Sequence, residues 1–302
     1  MSYFFYPGCS LESTAKDYQT STLAVAEALG LEMPVLPGWT CCGSTAAHQS
    51  DRLLALALPA RNLASASGRT LAVCCAACYS RLKLANHEIA AGGESRRRVA
   101  DALGADYDGS TPVKHLLEIL RDDLGLEEIA ARVSRPLSGL RVAAYYGCLL
   151  VRPPAVMHFD DAENPMLLDQ VAAAAGAEPV EWPFKTECCG ASYSITKVEI
   201  VRRLSRQILA MARDAGADCL VTACPLCQIN LDMRQGDIEK ESGEKFGMPV
   251  FYFTQLLGLA LGLPPERLGL RSLVVDPLPL LRKRGILRQS EMVVSARRAG
   301  GR

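Results

Sequence analysis

Twelve cysteines stand at positions 9, 41, 42, 74, 75, 78, 148, 188, 189, 219, 224 and 227. Ten of them write one pattern twice: a lone cysteine, an adjacent pair followed by glycine, then C-x-x-C. The first copy is Cys9, Cys41, Cys42, Cys75 and Cys78, and the second is Cys148, Cys188, Cys189, Cys224 and Cys227. Cys74 and Cys219 stand outside the repeat and read as buried, inert thiols. Thiolates are nucleophiles and soft metal ligands, and adjacent cysteines bridge one another only with strain. A structural zinc site uses four ligands in a tetrahedron, which would leave one thiol over in both copies. A ferredoxin-type cubane draws on a tight C-x2-C-x2-C run, and "CCAAC" supplies only three cysteines. A larger or irregular iron–sulfur cluster fits five thiolates better. Neighbouring side chains diverge toward different irons, and the glycine after them allows φ > 0 and close backbone approach. Pro225 sits where a helix would begin, turning partial positive charge toward an anionic cluster.

The rest of the composition narrows the setting. The chain has 302 residues, is 49% hydrophobic and carries a formal net charge of +0. That length predicts about two domains, each able to bury a core without disulfide staples. Balanced charge argues against nucleic acid as a partner. The opening "MSYFFYPGCS" has neither the basic n-region nor the h-region of a signal peptide, and the apolar run from Leu256 to Leu263 is too short to span a bilayer. A cytoplasmic chain with no transmembrane segment is expected, and in that compartment a cysteine pattern means metal or redox chemistry.

The elements that must position these thiols are legible from the flanks, which repeat with the cysteines. "SYFFYPGC" matches "VAAYYGC", "AEALGLEMPVLPGWTCCG" matches "AAAAGAEPVEWPFKTECCG", and "LAVCCAACYSRL" matches "LVTACPLCQINL", an internal duplication. Apolar runs predict buried strands at Phe4–Tyr6, Leu71–Val73, Val142–Tyr146 and Leu220–Thr222, with weaker ones around Val35 and Val180. Helical patterns cover Thr14–Leu29, Met166–Ala175 and Lys197–Ala215, where Val201, Leu204, Ile208 and Met211 form the apolar stripe. Val113–Leu124 and Leu126–Val133 read as two further helices. Strands alternating with helices predict an α/β fold of two tandem domains, each a small parallel sheet flanked by helices. All ten thiols then gather at the carboxyl ends of parallel strands, where open α/β sheets bind their ligands. The expected boundaries are 1–138 for the first domain, 139–280 for the second and 281–302 for a basic tail, with the turn-rich "SRPLSG" at the join. From Pro277 onward the chain holds seven basic residues and one acid, which reads as a solvated end or as a docking arm for an acidic partner.

The doubled pattern resembles the CCG cysteine-rich domain of the heterodisulfide reductase B subunit. "YPGC", the two "CCG" triplets, "RPP" (Arg152–Pro154), "ENP" (Glu163–Pro165), "CPLC" and "FTQLLGLALG" strengthen the likeness, which runs from Tyr3 to about Leu281. The resemblance implies two noncubane [4Fe–4S] clusters, each held by five thiolates: Cys9, Cys41, Cys42, Cys75 and Cys78 for one, Cys148, Cys188, Cys189, Cys224 and Cys227 for the other. Cys75 rather than Cys74 is the ligand position, because Cys75-x-x-Cys78 aligns with Cys224-x-x-Cys227. It further implies that the clusters face one cavity and split a disulfide between them. The family's best-known substrate is the heterodisulfide of coenzyme M and coenzyme B, and related proteins process protein-bound sulfur in sulfur-oxidising complexes. Electrons must then come from outside the chain. The resemblance implies two partners from the same kind of complex: an iron–sulfur protein like heterodisulfide reductase's C subunit and a flavin protein like its A subunit.

Two other functions stay open at this point: electron relay in a dehydrogenase complex, and a zinc-binding assembly module. Outside the cysteines the candidates are weak. His48 follows the first CCG and is the best of four histidines for proton transfer, ahead of His87, His115 and His158. Lys185 precedes Cys188 and reads either as a charge stabilising an anionic site or as an exposed loop lysine. Asp160, Asp161 and Glu163 read as a loop turning into the helix after Pro165. Trp39 and Trp182 read as core packing, and Tyr79 and Tyr193 as candidates for a cavity wall.

Overall fold

A computed structural model describes residues 3–44 and 46–288. Short apolar runs make two parallel sheets. In the first, β1 (Tyr3–Tyr6), β2 (Thr70–Val73) and β3 (Val113–His115) lie in the order β1-β2-β3. Val35 adds a single parallel bridge to Phe5 of β1. The second sheet holds β4 (Arg141–Tyr145), β5 (Glu178–Pro179), β6 (Cys219–Thr222) and β7 (Val250–Tyr252) in the order β5-β4-β6-β7. With the Val35 bridge in the place of β5, the two sheets have the same order. Apart from β5, whose Glu178 is exposed, the strands are buried along most of their length, as parallel strands under helical cover are.

The expected strands and helices form within a residue or two of their predicted bounds, with one exception. Val113–Leu124 is not one helix. Val113–His115 pairs with β2, a helical turn follows at Leu116–Glu118, and Ile119–Leu124 winds as a π-helix. The reason is local: the Glu118 carboxylate accepts the His115 N–H at 2.7 Å, and His115 Nδ1 accepts the Leu117 N–H at 3.2 Å. That reciprocal cap starts the helix only after His115. The second half repeats the device, with Tyr252 N–H donating to Gln255 Oε1 at 2.9 Å where β7 meets the Phe253–Ala260 helix. "PVKHLLEIL" and "PVFYFTQLL" are therefore a fourth matched pair of segments.

Helices seal the sheets. Lys16–Leu29 buries Tyr18, Ser21, Thr22, Val25 and Leu29 and stops at Gly30, whose φ of 73° is a left-handed cap. Val198–Asp214 buries Val201, Ser205, Ile208 and Ala212, while Arg202 pairs with Glu241 and Arg206 and Arg213 pair with Glu244. The two halves share a core. Tyr18 stacks on Tyr252 with centroids 3.9 Å apart, Ser21 Oγ meets Thr254 Oγ1 at 2.7 Å, and both hydroxyls are buried. The Phe253–Ala260 helix of the second half packs on Lys16–Leu29 of the first. Reciprocally, Leu116–Glu118 and the Leu126–Ala131 helix of the first half pack on Leu167–Ala174 of the second.

The C-terminal stretch departs from the expected solvated tail. Leu278–Lys283 is helical, Leu281, Ile286 and Leu287 are buried, and Arg284 pairs with Asp218. The remainder of the predicted tail, 289–302, lies outside the described residues.

Candidate metal centre

Each thiol set is assembled from strand ends. β1 and β4 run into Cys9 and Cys148, and β2 and β6 into Cys75 and Cys224. Cys75 and Cys224 are the N-cap residues of the helices Ala76–Ala90 and Pro225–Asp232, which puts Cys78 and Cys227 in the first turns. The same thiols pair in both halves. Cys42 Sγ lies 3.4 Å from Cys78 Sγ, and Cys189 Sγ 3.6 Å from Cys227 Sγ. Cys41 Sγ lies 3.7 Å from Cys9 Sγ, and Cys148 hydrogen-bonds Cys188. The Cys75 and Cys224 thiols come close to each other across the halves, so the two sets meet at their inner ends. Cys9, Cys41 and Cys188 are exposed, Cys148 is half-buried, and the other six are buried.

Backbone and side chains hold this frame in duplicate. The Gly43 N–H approaches Cys41 Sγ at 3.4 Å and the Gly190 N–H approaches Cys188 Sγ at 3.3 Å, both glycines having positive φ. Tyr6 donates to the Thr40 carbonyl at 2.7 Å, and Tyr145 donates to the Glu187 carbonyl at 2.6 Å, pinning the residue before each cysteine pair. Burial, reinforced by the surrounding thiols, keeps both phenols protonated and therefore donating. Trp39 sits edge-on to Tyr6, and Trp182 packs against Tyr145 while donating to the Ala144 carbonyl. A Cβ on Gly8 would stand 2.9 Å from Cys78 Sγ, and one on Gly147 3.1 Å from Cys227 Sγ. These positions share the signal Y-x-G-C (Tyr6 to Cys9, Tyr145 to Cys148), which in the sequence reads only as a strand end.

The electrostatics also repeat. Hydrogen bonds from Cys42 and Cys9 and from the Gly43 amide hold Cys41 well below the usual thiol range. Cys148 and the Gly190 and Ala191 amides do the same for Cys188. Cys41 and Cys188 thus hold equivalent, thiolate-favouring positions in the two halves. Cys74 and Cys219 are buried outside both sets, and burial pushes the Cys74 thiol up to about 12. Their burial is as expected.

The donor set suits a multinuclear cluster. Each half offers five free thiols and a glycine, Gly8 or Gly147, at which a Cβ would crowd one of them. Among the described residues no three Cys, His, Asp or Glu groups converge as the ligands of one metal ion. The donor count is what favours several irons: five thiols per half are one more than a tetrahedral site on a single zinc takes.

The weaker candidates sort differently. His48, His87 and His158 are exposed. Lys185 is no exposed loop lysine: it is 3% exposed and its Nζ lies 3.0 Å from Asp169 Oδ1, so its charge is already matched. Tyr146 donates to the other Asp169 oxygen at 2.6 Å, and the Lys185 carbonyl accepts the Tyr146 and Gly147 amides. This network ties the loop before Cys148 to the loop before Cys188. His115 is fully buried: Nδ1 is occupied as an acceptor, so Nε2 carries the proton and donates to the Cys74 carbonyl at 2.9 Å and to that of Ala223. It joins the residues immediately before Cys75 and Cys224. Asp160 accepts the Met166 and Leu167 amides and Asp161 those of Glu163 and Asn164, a turn into a helix as expected. Tyr79 is buried in an aromatic cluster with His115 and Phe159, and Tyr193 is exposed.

Residues 3–83 and 142–232 each match the CCG cysteine-rich domain. The chain belongs to the CCG family. This CCG protein is 32% identical over 286 residues to the B subunit of the ferredoxin/F(420)H(2)-dependent CoB-CoM heterodisulfide reductase of Methanosarcina acetivorans, covering 92% of this chain and 95% of the relative. It is 36% identical over 279 residues to the 8-methylmenaquinol:fumarate reductase membrane anchor subunit of Wolinella succinogenes, covering 91% and 98%. An Archaeoglobus profundus protein, itself named for its likeness to the heterodisulfide reductase B subunit, is 30% identical over 279 residues, covering 89% and 93%. A hypothetical protein from Helicobacter pylori shares the fold, with a TM-score of 0.72 at 14% identity; the match covers 91% of the CCG protein and 52% of that chain. The CCG protein is thus a heterodisulfide reductase-like subunit. No described helix is long and apolar enough to cross a membrane.

Proposed function

We propose that this CCG protein is the cluster-bearing, catalytic component of a heterodisulfide reductase-like complex, reducing or forming disulfide or sulfane-sulfur bonds in cytoplasmic sulfur metabolism. Cys9, Cys41, Cys42, Cys75 and Cys78 would hold one noncubane [4Fe–4S] cluster, and Cys148, Cys188, Cys189, Cys224 and Cys227 the second. The observation that carries this assignment is the meeting of two equivalent thiol sets at Cys75 and Cys224. The clusters, when bound, would supply two one-electron stores beside one sulfur–sulfur bond. Cleaving that bond takes two electrons and two protons and yields two thiols.

The chain's own residues supply the frame. Buried Cys42, Cys75, Cys78, Cys189, Cys224 and Cys227 keep the inner side from water, and exposed Cys9, Cys41 and Cys188 leave an edge open to substrate and to solvent protons. The Tyr6 and Tyr145 hydroxyls and the Gly43 and Gly190 amides hold that edge in register. Electrons come from an iron–sulfur partner resembling heterodisulfide reductase's C subunit, with a flavin protein resembling its A subunit beyond that.

A second function, electron relay without sulfur chemistry, is favoured by the Wolinella relative, whose name places it in a fumarate reductase. Anaerobic loading with iron and sulfide, followed by iron counting and EPR, tests the cluster assignment. Cys42→Ser and Cys189→Ser are each expected to halve the bound iron, and zinc binding without iron would sink it. A disulfide that alters the EPR signal of the reduced protein supports catalysis, and silence toward every disulfide and persulfide tried, with reductant present, supports relay.

A further inference from the structure

The two thiol sets share their frame but not their charge. Three residues past Cys78 stands Arg81, and three past Cys227 stands Asn230. Arg81 is half-buried with its guanidinium in the field of Cys42, and its Nε is sealed from solvent with no hydrogen-bond partner among the described residues. Asn230 is buried and neutral. Its amide donates to the Cys189 carbonyl at 3.5 Å and toward Cys189 Sγ at 3.6 Å, and its Oδ1 accepts from Ser194 and Arg234. Arg234 therefore stands one side chain further back, its guanidinium donating to the Ser194 carbonyl at 2.6 Å. The residue before each cysteine pair differs as well: neutral Thr40 in the first half, Glu187 in the second. Glu187 is exposed and adjoins Cys188, on which its negative charge acts, so solvent screens its charge more than that of Arg81. His48 is a further titratable neighbour of Arg81, and burial and the Arg81 charge hold it toward its neutral form.

Adding an electron to a centre adds negative charge. A cation at short range in a half-buried site stabilises that state, and an anion opposes it. Resting on the assignment of a cluster to each set, we propose that the two centres fill in a fixed order, with the first-half centre beside Arg81 reduced ahead of the second-half centre beside Glu187. The first electron, from a one-electron iron–sulfur donor, comes to rest in the first half, with no bond made or broken and no proton taken up. The second electron goes to the second half. The pair is then charged asymmetrically before any sulfur substrate is cleaved.

The test is a mediated redox titration followed by EPR on the full chain loaded with iron and sulfide, with dithionite as reductant. Cys189→Ser leaves the first-half centre alone and Cys42→Ser leaves the second-half centre alone. The first-half centre should titrate at the more positive midpoint. In the Cys189→Ser background, Arg81→Asn should move that midpoint down and Arg81→Lys should keep most of it. In the Cys42→Ser background, Glu187→Gln, a change on an exposed loop, should move the second-half midpoint up. Equal midpoints, the reverse order, or no response to Arg81→Asn and Glu187→Gln in chains that hold their iron would overturn the order and leave the cluster assignment standing. Chains that bind no iron would overturn both.

Discussion

His115 sits at the seam between the two sheets as a neutral ring, because burial holds its pKa down to about 4, below the ordinary value of 6.5. The sign follows from linkage. The unfolded chain takes up a proton at this residue between pH 6.5 and 4 and the folded chain does not, so the contribution is full above pH 6.5 and lost as pH falls toward 4, about 3 kcal/mol in all. Urea unfolding of the reduced chain across that window should show this slope, and His115→Gln, which keeps a donor for the Cys74 carbonyl, should lack it. Lys185 makes the complementary case. Lys185→Met would strand Asp169, a carboxylate that burial already pushes above its usual range despite Lys185 and Tyr146, at a cost of about 4 kcal/mol. The double variant Lys185→Met with Asp169→Leu should recover most of that loss in the same assay. Neither role was legible in the sequence. A histidine or lysine takes its meaning from its partner, and Asp169 and the Cys74 and Ala223 carbonyls reach these residues only through the fold. The ten cysteines were legible because their signal is spacing, which needs no partner.

At the scale of elements, strand ends and helix starts were readable where apolar runs and glycines mark them, and unreadable where a side chain sets the boundary. Val113–His115 looks helical by pattern, but its pairing with β2 and the Glu118 cap decide otherwise. The cap hides in the sequence because histidine and tyrosine are not the usual residues before a helix. Y-x-G-C is the more consequential element. Gly8 has φ 67° and Gly147 has φ 66°, and each faces a thiol where a methyl group would sit. Gly8→Ala should deplete iron from the first half alone and Gly147→Ala from the second alone, read by iron content and by loss of one EPR component with the other intact. Depletion of both halves by either change would mean that the two cradles are mechanically coupled.

At the scale of the molecule, the expected pair of parallel sheets is present, but the halves are not separate bodies. Tyr18 is fully buried against Tyr252 and Phe253 and donates to the Cys74 carbonyl at 2.9 Å. Tyr18→Ala should cost about 4 kcal/mol, and both halves should still unfold in one transition, followed by circular dichroism and by tyrosine fluorescence. Two transitions would show that the coupling rests on the Tyr18 contact and not on the rest of the shared core. Composition could predict two cores but not their fusion, since the contacts that join them bring together residues far apart in sequence, at Ser21 and Thr254 more than 200 positions apart.

The exchange of helices across the seam has a consequence for ancestry. Cys75 touches its own counterpart, Cys224, and each half lends the segment after its last strand to the other half's cover. Equivalent parts in mutual contact are the mark of a two-fold axis, as in a homodimer. One CCG unit bound to its own twin would reproduce this architecture without any duplication. Carrying both units in one chain lets each copy differ, and Arg81 in the first half where the second has Asn230 is a difference that a true homodimer could never hold.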